Sequence, residues 1–228
     1  MSEKRRIPME EKFMKGDKNI SKSKPNDVLY GYLQMISYVD GDGRRFVYKK
    51  DYSHTGVEKY FGYDEEGKAY FPKKNAERAF KVLIQYGYVR ETKVVGLKGN
   101  LVKAYELPYD VDKLFQYIDL ETLRFLLNTV NPNAIKLYIF FKYKFYCFGD
   151  KFVFTQKMLL EECFGLSEHT RNKCNVEALQ NRMKGLKLLG LIDWCEYTIV
   201  NDDGIHIPQK RLLNVSDKVK DIHIEQHE

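Results

Sequence analysis

The fold follows from two stretches, KKNAERAFKVLIQYGYV (residues 73–89) and VEALQNRMKGLKLLGLI (residues 176–192), which align at an offset of 103 residues. In each stretch, apolar residues recur at helical spacing until a glycine is reached, Gly87 in the first and Gly190 in the second. Glycine suits the left-handed conformation that ends many helices. Both stretches therefore predict an amphipathic helix that ends at a glycine.

An internal duplication is the best explanation of this match. The offset of 103 residues also relates the Phe-Gly pair at residues 61–62 to the pair at residues 164–165, so 25 positions separate the glycines in both copies. Upstream, FVY at residues 46–48 resembles FVF at residues 152–154. The shared apolar frame predicts two units with the same order of elements, in which Gly87 superposes on Gly190 and Phe61 on Phe164.

Each copy is predicted to contain a helix, a short strand, two further helices and a β-hairpin. In copy one these are helix 27–39, strand 45–48, a helix ending at Phe61, helix 73–86, and strands 88–95 and 101–107. In copy two they are helix 132–148, strand 152–154, a helix ending at Phe164, helix 172–189, and strands 191–200 and 205–213. An extra helix at 120–130 opens copy two. This order is typical of a winged helix, so we expect an α+β protein, mainly α with small β-hairpins, built from two tandem winged helix–turn–helix domains.

The predicted domain organisation places these copies between two charged ends. Residues 1–24 carry eight Lys/Arg against four Asp/Glu and are expected to form a flexible basic arm. Residues 25–110 and 111–214 are the two domains, and residues 215–228 form a charged C-terminal tail. The boundary between the domains is expected at Pro108–Asp112.

Composition and missing motifs argue against an enzyme. The formal net charge is +6, which is compatible with nucleic acid binding. The four cysteines form no CxxC pair, and neither a P-loop nor a His-x-His pair occurs, so we expect no metal site, no cofactor and no catalytic activity. No uncharged apolar stretch approaches the roughly 20 residues that span a bilayer, and we expect a cytoplasmic protein without a membrane partner.

The helix at residues 73–86 is the predicted DNA reader. Its polar face carries Arg78, which can pair with guanine, Gln85, which can pair with adenine, and lysines that can bind phosphate. The opposite, apolar face consists of Ala76, Ala79, Phe80, Leu83 and Ile84. The predicted DNA-binding residues of the whole chain are Lys73, Lys74, Arg78, Lys81, Gln85, Lys93, Lys98, Lys103, Lys173, Asn181 and Lys184.

Copy two provides an internal comparison for this prediction. Its positions equivalent to Lys74, Arg78 and Lys81 are Glu177, Asn181 and Lys184. Its hairpin turn carries Asp202 and Asp203, whereas the hairpin of copy one carries Lys93, Lys98 and Lys103. Carboxylates repel DNA phosphates, so we expect copy one to be the stronger reader. The apolar helix at 135–148 is interpreted as the core helix of copy two, with a homodimer interface as the alternative.

The chain resembles the tandem winged-helix replication initiators of plasmids, phages and conjugative elements of low-GC Gram-positive bacteria. The resemblance covers residues 25–214 and includes the glycine pairs and the segment DLETLRFL (119–126) that leads to IKLYI (135–139). It implies double-stranded DNA binding at origin repeats by a protein of a mobile genetic element, with host replication proteins as partners. The alternatives are a transcriptional regulator or partition adaptor of the same architecture, and a protein-interaction module that has lost DNA binding.

Overall fold

The computed structural model describes residues 6–10, 26–96, 99–108, 115–166 and 173–219. It confirms the predicted α+β class, because helices alternate with small antiparallel sheets. The chain forms two compact units that divide after Pro132. In the described ranges, no helix combines the length and the hydropathy that a membrane span requires.

The first unit holds a four-stranded sheet and a separate pair of strands. Its described elements are β1 (Arg6–Glu10), α1 (Asn26–Met35), β2 (Tyr38–Val39), β3 (Arg45–Tyr48), α2 (His54–Phe61), α3 (Lys73–Gln85), β4 (Arg90–Val95), β5 (Leu101–Glu106), β6 (Phe115–Asp119) and α4 (Leu120–Thr129). The sheet order is β2-β3-β5-β4, and β1 pairs with β6. The last strand of the hairpin, β5, therefore lies between β3 and β4.

The second unit repeats this connectivity with a shorter sheet. Its described elements are α5 (Pro132–Phe148), β7 (Val153–Phe154), α6 (Gln156–Met158), which continues as a π-helical turn (Leu159–Cys163), α7 (Lys173–Leu188), β8 (Ile192–Val200) and β9 (His206–Val215). The sheet order is β7-β9-β8. In both units the strand before the two middle helices is therefore hydrogen-bonded to the last strand of the hairpin.

The glycines that end α3 and α7 adopt the same conformation, as predicted. Gly87 has φ +75° and Gly190 has φ +68°. The amide after each glycine donates to the carbonyl five residues earlier, from Tyr88 to Leu83 and from Leu191 to Leu186. This Schellman hydrogen bond turns the chain from the helix directly into the hairpin. Gly62 and Gly165, with φ +79° and +63°, end the preceding helical segments.

The core of the first unit is aromatic. Four of the five predicted apolar residues of α3 are buried, and Ile84 is exposed instead. The Phe80 ring stacks on Tyr52, with centroids 4.5 Å apart, and meets Tyr105 of β5 edge-on at 5.0 Å. At about 100° per residue, Ile84 lies at the margin of the apolar face, which agrees with its exposure.

Helix α5 is the core helix of the second unit, which confirms the first of the two interpretations. Its residues Ile135, Leu137–Phe141 and Tyr143 are buried, and Phe141 packs against Phe154 of β7. Among the residues of α5 whose burial is described, those exposed are Tyr146, Cys147 and Phe148 at its C-terminal end. The apolar circumference of this helix is thus explained largely by enclosure within its own unit.

Part of the predicted flexible arm is a strand. Ile7 is fully buried, and β1 pairs with β6 in a register that sets Ile7 opposite Ile118. The apolar run Ile7–Met9 makes this pairing favourable. The prediction of a flexible arm rested on the positive charge of residues 1–24 and did not take this run into account. The start of the predicted tail is also ordered, because the Tyr138 hydroxyl donates to the carbonyl of Ser216. Residues 1–5, 11–25 and 220–228 lie outside the described residues.

The segment Phe115–Pro132 belongs to the first compact unit, although the sequence predicts that its helix opens copy two. Arg124 of α4 donates from Nε to the carbonyl of Phe61 and from its NH2 group to the carbonyl of Tyr60. These are terminal carbonyls of α2, which have no partner inside their own helix. The boundary predicted after residue 110 falls among residues 109–114, outside the described residues.

Replacing Arg124 by alanine should destabilise the first unit. The two carbonyls at the end of α2 would lose a charged donor, which should lower the free energy of unfolding by about 1–2 kcal/mol. Urea denaturation of Arg124→Ala and Lys59→Ala measures this, because Lys59 is an exposed side chain on α2. Equal stability of the two variants would show that the Arg124 contact does not hold α4 to α2.

Candidate nucleic-acid interface

Helix α3 presents its predicted polar side chains to solvent. Lys73, Lys74, Arg78, Lys81 and Gln85 are all exposed, while on the opposite face Phe80 packs against Tyr52 and Tyr105. The N-terminus of α3 is held by α2, because the Lys73 backbone amide donates to a carboxylate oxygen of Glu58. The same carboxylate accepts from the Tyr63 hydroxyl. Helices α2 and α3 are thus joined at the end where the exposed lysines begin.

The cations on this face of α3 are not neutralised within the described part of the chain. No salt bridge there joins Lys73, Lys74, Arg78 or Lys81 to a carboxylate. The one acidic residue of α3, Glu77, lies 4.0 Å from His54. Burial lowers the pKa of His54, Glu77 raises it, and Lys73 and Lys81 lower it further. Because the pKa of His54 is lowered, the positive charge of this face comes from its lysines and arginine and not from His54.

The hairpin β4–β5, called here the first hairpin, adds two lysines to the same side of the sheet. Lys93 and Lys103 are direct cross-strand partners, and both are exposed. Side chains two residues apart on a strand share a face, so Lys103 lies on the face of Tyr105, which packs against Phe80 of α3. Like charges directly opposite each other destabilise a sheet. An anion between the two lysines would remove this repulsion.

Predicting this lysine pair required the register of the hairpin. The sequence predicts both residues as DNA contacts, but it does not show that they oppose each other. Gly96, whose amide donates to the carbonyl of Asn100, closes the turn and sets the register. The glycine-rich turn was the sequence signal from which the pairing could have been found. Lys98, the third lysine predicted here, lies outside the described residues.

The second unit places an ion pair at the position of the lysine pair. Lys93 and Glu196 each follow the capping glycine of their unit by six residues. The cross-strand partner of Glu196 is Lys210, which forms a salt bridge with it and lowers its pKa. The Lys210 ammonium also lies 5.9 Å from the centre of the Trp194 ring. The hairpin β8–β9, called here the second hairpin, is therefore neutral where the first hairpin is cationic.

The exposed face of α7 is also less cationic than that of α3. Asn181 and Lys184 are exposed as predicted, but Glu177 is exposed with them. Lys187 is engaged by Asp193, at 2.7 Å, and by the Trp194 ring. Lys173 begins the helix, and its side chain is outside the described part.

Comparison with known proteins identifies no relative. No protein-family model, no curated protein and no solved structure matches the chain at a significant level. The interface itself consists of hydrogen-bond donors on an exposed helix and on the hairpin that follows it. Such a set can bind an extended anion through several contacts, because the cations are spread along a surface.

Reversing the charge in each hairpin should change stability in opposite directions. Lys93→Glu would create an ion pair with Lys103 and should raise the free energy of unfolding by roughly 0.2–1 kcal/mol. Glu196→Lys is the matched control in the second unit, where it would remove an ion pair and should lower stability by a similar amount. Thermal denaturation at low and high salt measures both effects, which salt should reduce. Destabilisation by Lys93→Glu at low salt would contradict the repulsion between Lys93 and Lys103.

Proposed function

We propose that the chain is a double-stranded DNA-binding protein made of two tandem winged-helix domains, with the first as the main reader. The observation that carries this proposal is the set of exposed cations on α3, which form no salt bridge with any described residue, together with the Lys93–Lys103 pair on the same side of the sheet. The connectivity shared by the two units supports the winged-helix assignment.

The size and chemistry of α3 suit the major groove. The groove of B-DNA admits one α-helix, and its base edges offer acceptors to arginine and both donors and acceptors to glutamine. Arg78 and Gln85 are the residues of this kind on the exposed face, and lysines surround them. In a winged helix the hairpin contacts the backbone beside the groove, where Lys93 and Lys103 would bind phosphate. The second unit would bind more weakly, since Glu177 lies on its helix and its hairpin pair is neutralised.

We further propose that the protein initiates replication of a mobile genetic element by binding origin repeats. This role rests on the resemblance described above, which also suggests host replication proteins as partners. A transcriptional regulator or partition adaptor would use the same surface. The two roles differ in the arrangement of their sites, because initiators bind clustered repeats whereas a self-regulating protein binds an operator at a promoter.

Selection of binding sites from random duplex DNA tests the proposal directly. The full chain should enrich a defined motif, and the position of that motif near the gene of the protein distinguishes the two roles. Clustered repeats support initiation, and a palindrome that overlaps a promoter supports regulation. Failure to retain any duplex at low salt would exclude DNA binding and leave a protein-interaction module.

Arg78→Ala should weaken binding to the selected site more than Asn181→Ala does. The two residues occupy equivalent positions in α3 and α7, so each is the control for the other. Loss of a base contact by Arg78 should cost about 1–3 kcal/mol and relax specificity at one base pair. Titrations against the selected site and a scrambled duplex measure both effects. Equal losses would show that both units read DNA, and a larger loss for Asn181→Ala would reverse the assignment.

Lys81→Ala should weaken binding to every duplex to a similar degree. A phosphate contact carries no sequence information, and its loss reduces the slope of log affinity against log salt by roughly one unit. Binding constants at several salt concentrations give this slope for Lys81→Ala and for Lys184→Ala, the equivalent change in α7. An unchanged slope for Lys81→Ala would show that Lys81 makes no phosphate contact.

A further inference from the structure

The second hairpin extends well beyond its sheet. β7 pairs only with Lys210 and Arg211 of β9, and β8 is an edge strand along its whole length. The end of the hairpin is apolar on one face, and the other face pairs Val200 with His206. Ile199 and Ile207 are cross-strand partners on the apolar face. Apolar edge strands of this kind are usually covered in folded proteins.

The turn of the second hairpin carries two exposed carboxylates, of which Asp203 also accepts a hydrogen bond from the side-chain amide of Asn201. The Asn201 side-chain oxygen accepts from the amides of Asp203 and Ile205, and Gly204 supplies the positive φ. The side chains of Asp202 and Asp203 are exposed. An apolar surface with an acidic end is complementary to an apolar surface that lies beside lysines.

The first hairpin has a surface of that description. Near its turn, the cross-strand partners Val95 and Leu101 are 67% and 68% exposed. The Lys93–Lys103 pair follows on the same face, two residues or about 7 Å further from the turn. From turn to base, the first hairpin thus presents an apolar pair and then a cationic pair. From base to turn, the second hairpin presents an apolar pair and then two carboxylates.

We propose that the second hairpin of one copy of the chain docks on the first hairpin of another copy. With the two hairpins antiparallel, Ile199 and Ile207 cover Val95 and Leu101, and the acidic turn reaches the lysine pair. The complementary charges select a second copy as the occupant. The two surfaces differ, so the contact is heterologous and joins copies head to tail, in a closed ring or in an open chain.

This contact would compete with DNA for Lys93 and Lys103. That consequence rests on the proposed function, whereas the docking itself does not. Self-association at high protein concentration would then limit DNA binding by the first unit, and added DNA would dissociate the associated copies.

Sedimentation of the full chain without DNA tests the docking. The sedimentation coefficient should rise with concentration up to roughly 100 µM, as expected of a weak contact, and more at about 0.05 M than at about 0.5 M salt. The double variants Asp202→Lys/Asp203→Lys and Lys93→Glu/Lys103→Glu should each remain monomeric. An equimolar mixture of the two should associate again, because each variant then offers the charge that the other has lost. Glu65→Lys/Glu66→Lys makes the same change of charge at another exposed turn and should associate like the original chain.

Several outcomes would overturn the docking. They are a monomer at every concentration, association that survives either double variant, and a mixture that stays monomeric while both variants are folded. If lysines disturb the turn, Asp202→Asn/Asp203→Asn should still abolish association without adding charge. Addition of a non-specific DNA duplex tests the competition separately. If the mixture of the two double variants associates but the original chain stays associated in the presence of DNA, the docking stands and only the competition with DNA is wrong.

Discussion

The packing of Phe80 between Tyr52 and Tyr105 is the contact on which the candidate interface depends. It places Phe80, on the apolar face of α3, against Tyr105 of β5, and the cations on the opposite face of α3 are exposed. Tyr105 also shows which face of the first hairpin is on the side of α3, because side chains alternate between the two faces along a strand. Lys103 lies two residues from Tyr105 and therefore shares the side of α3. One aromatic contact thus places both groups of lysines on a common surface.

The two units show how a repeated frame can carry different surfaces. Their helices end with the same glycine conformation, and their hairpins join the sheet in the same order. The frame is constrained because it requires a left-handed residue at one position and buried apolar residues at others. Surface charge is free of these constraints. At equivalent positions, the first unit therefore has two opposed lysines and the second unit has a glutamate–lysine ion pair.

Two features of the chain are costly to the isolated molecule. The opposed lysines of the first hairpin repel each other, and the apolar end of the second hairpin is left in water. Features that lower stability without a structural benefit concentrate at functional sites. Binding of DNA to the first and docking of a second copy on the other would each relieve one of these costs. The repulsion in the first hairpin comes from charge, whereas the cost in the second hairpin comes from exposed apolar side chains.

The sequence by itself determined the local structure and the composition of the candidate site. The bounds of most helices and strands followed from glycine caps, turn residues and periodicity, all of which act over a few residues. The exposed cations of α3 followed from the same periodicity. Only the tertiary structure decided that Ile7 pairs beside Ile118, that Arg124 holds α4 to α2, and that α5 is a core helix. It also decided that Lys93 faces Lys103 while Glu196 faces Lys210. These contacts join residues that are far apart in the chain. They are selected by the free energies of side-chain packing and strand pairing, which cannot be predicted from a short stretch of sequence.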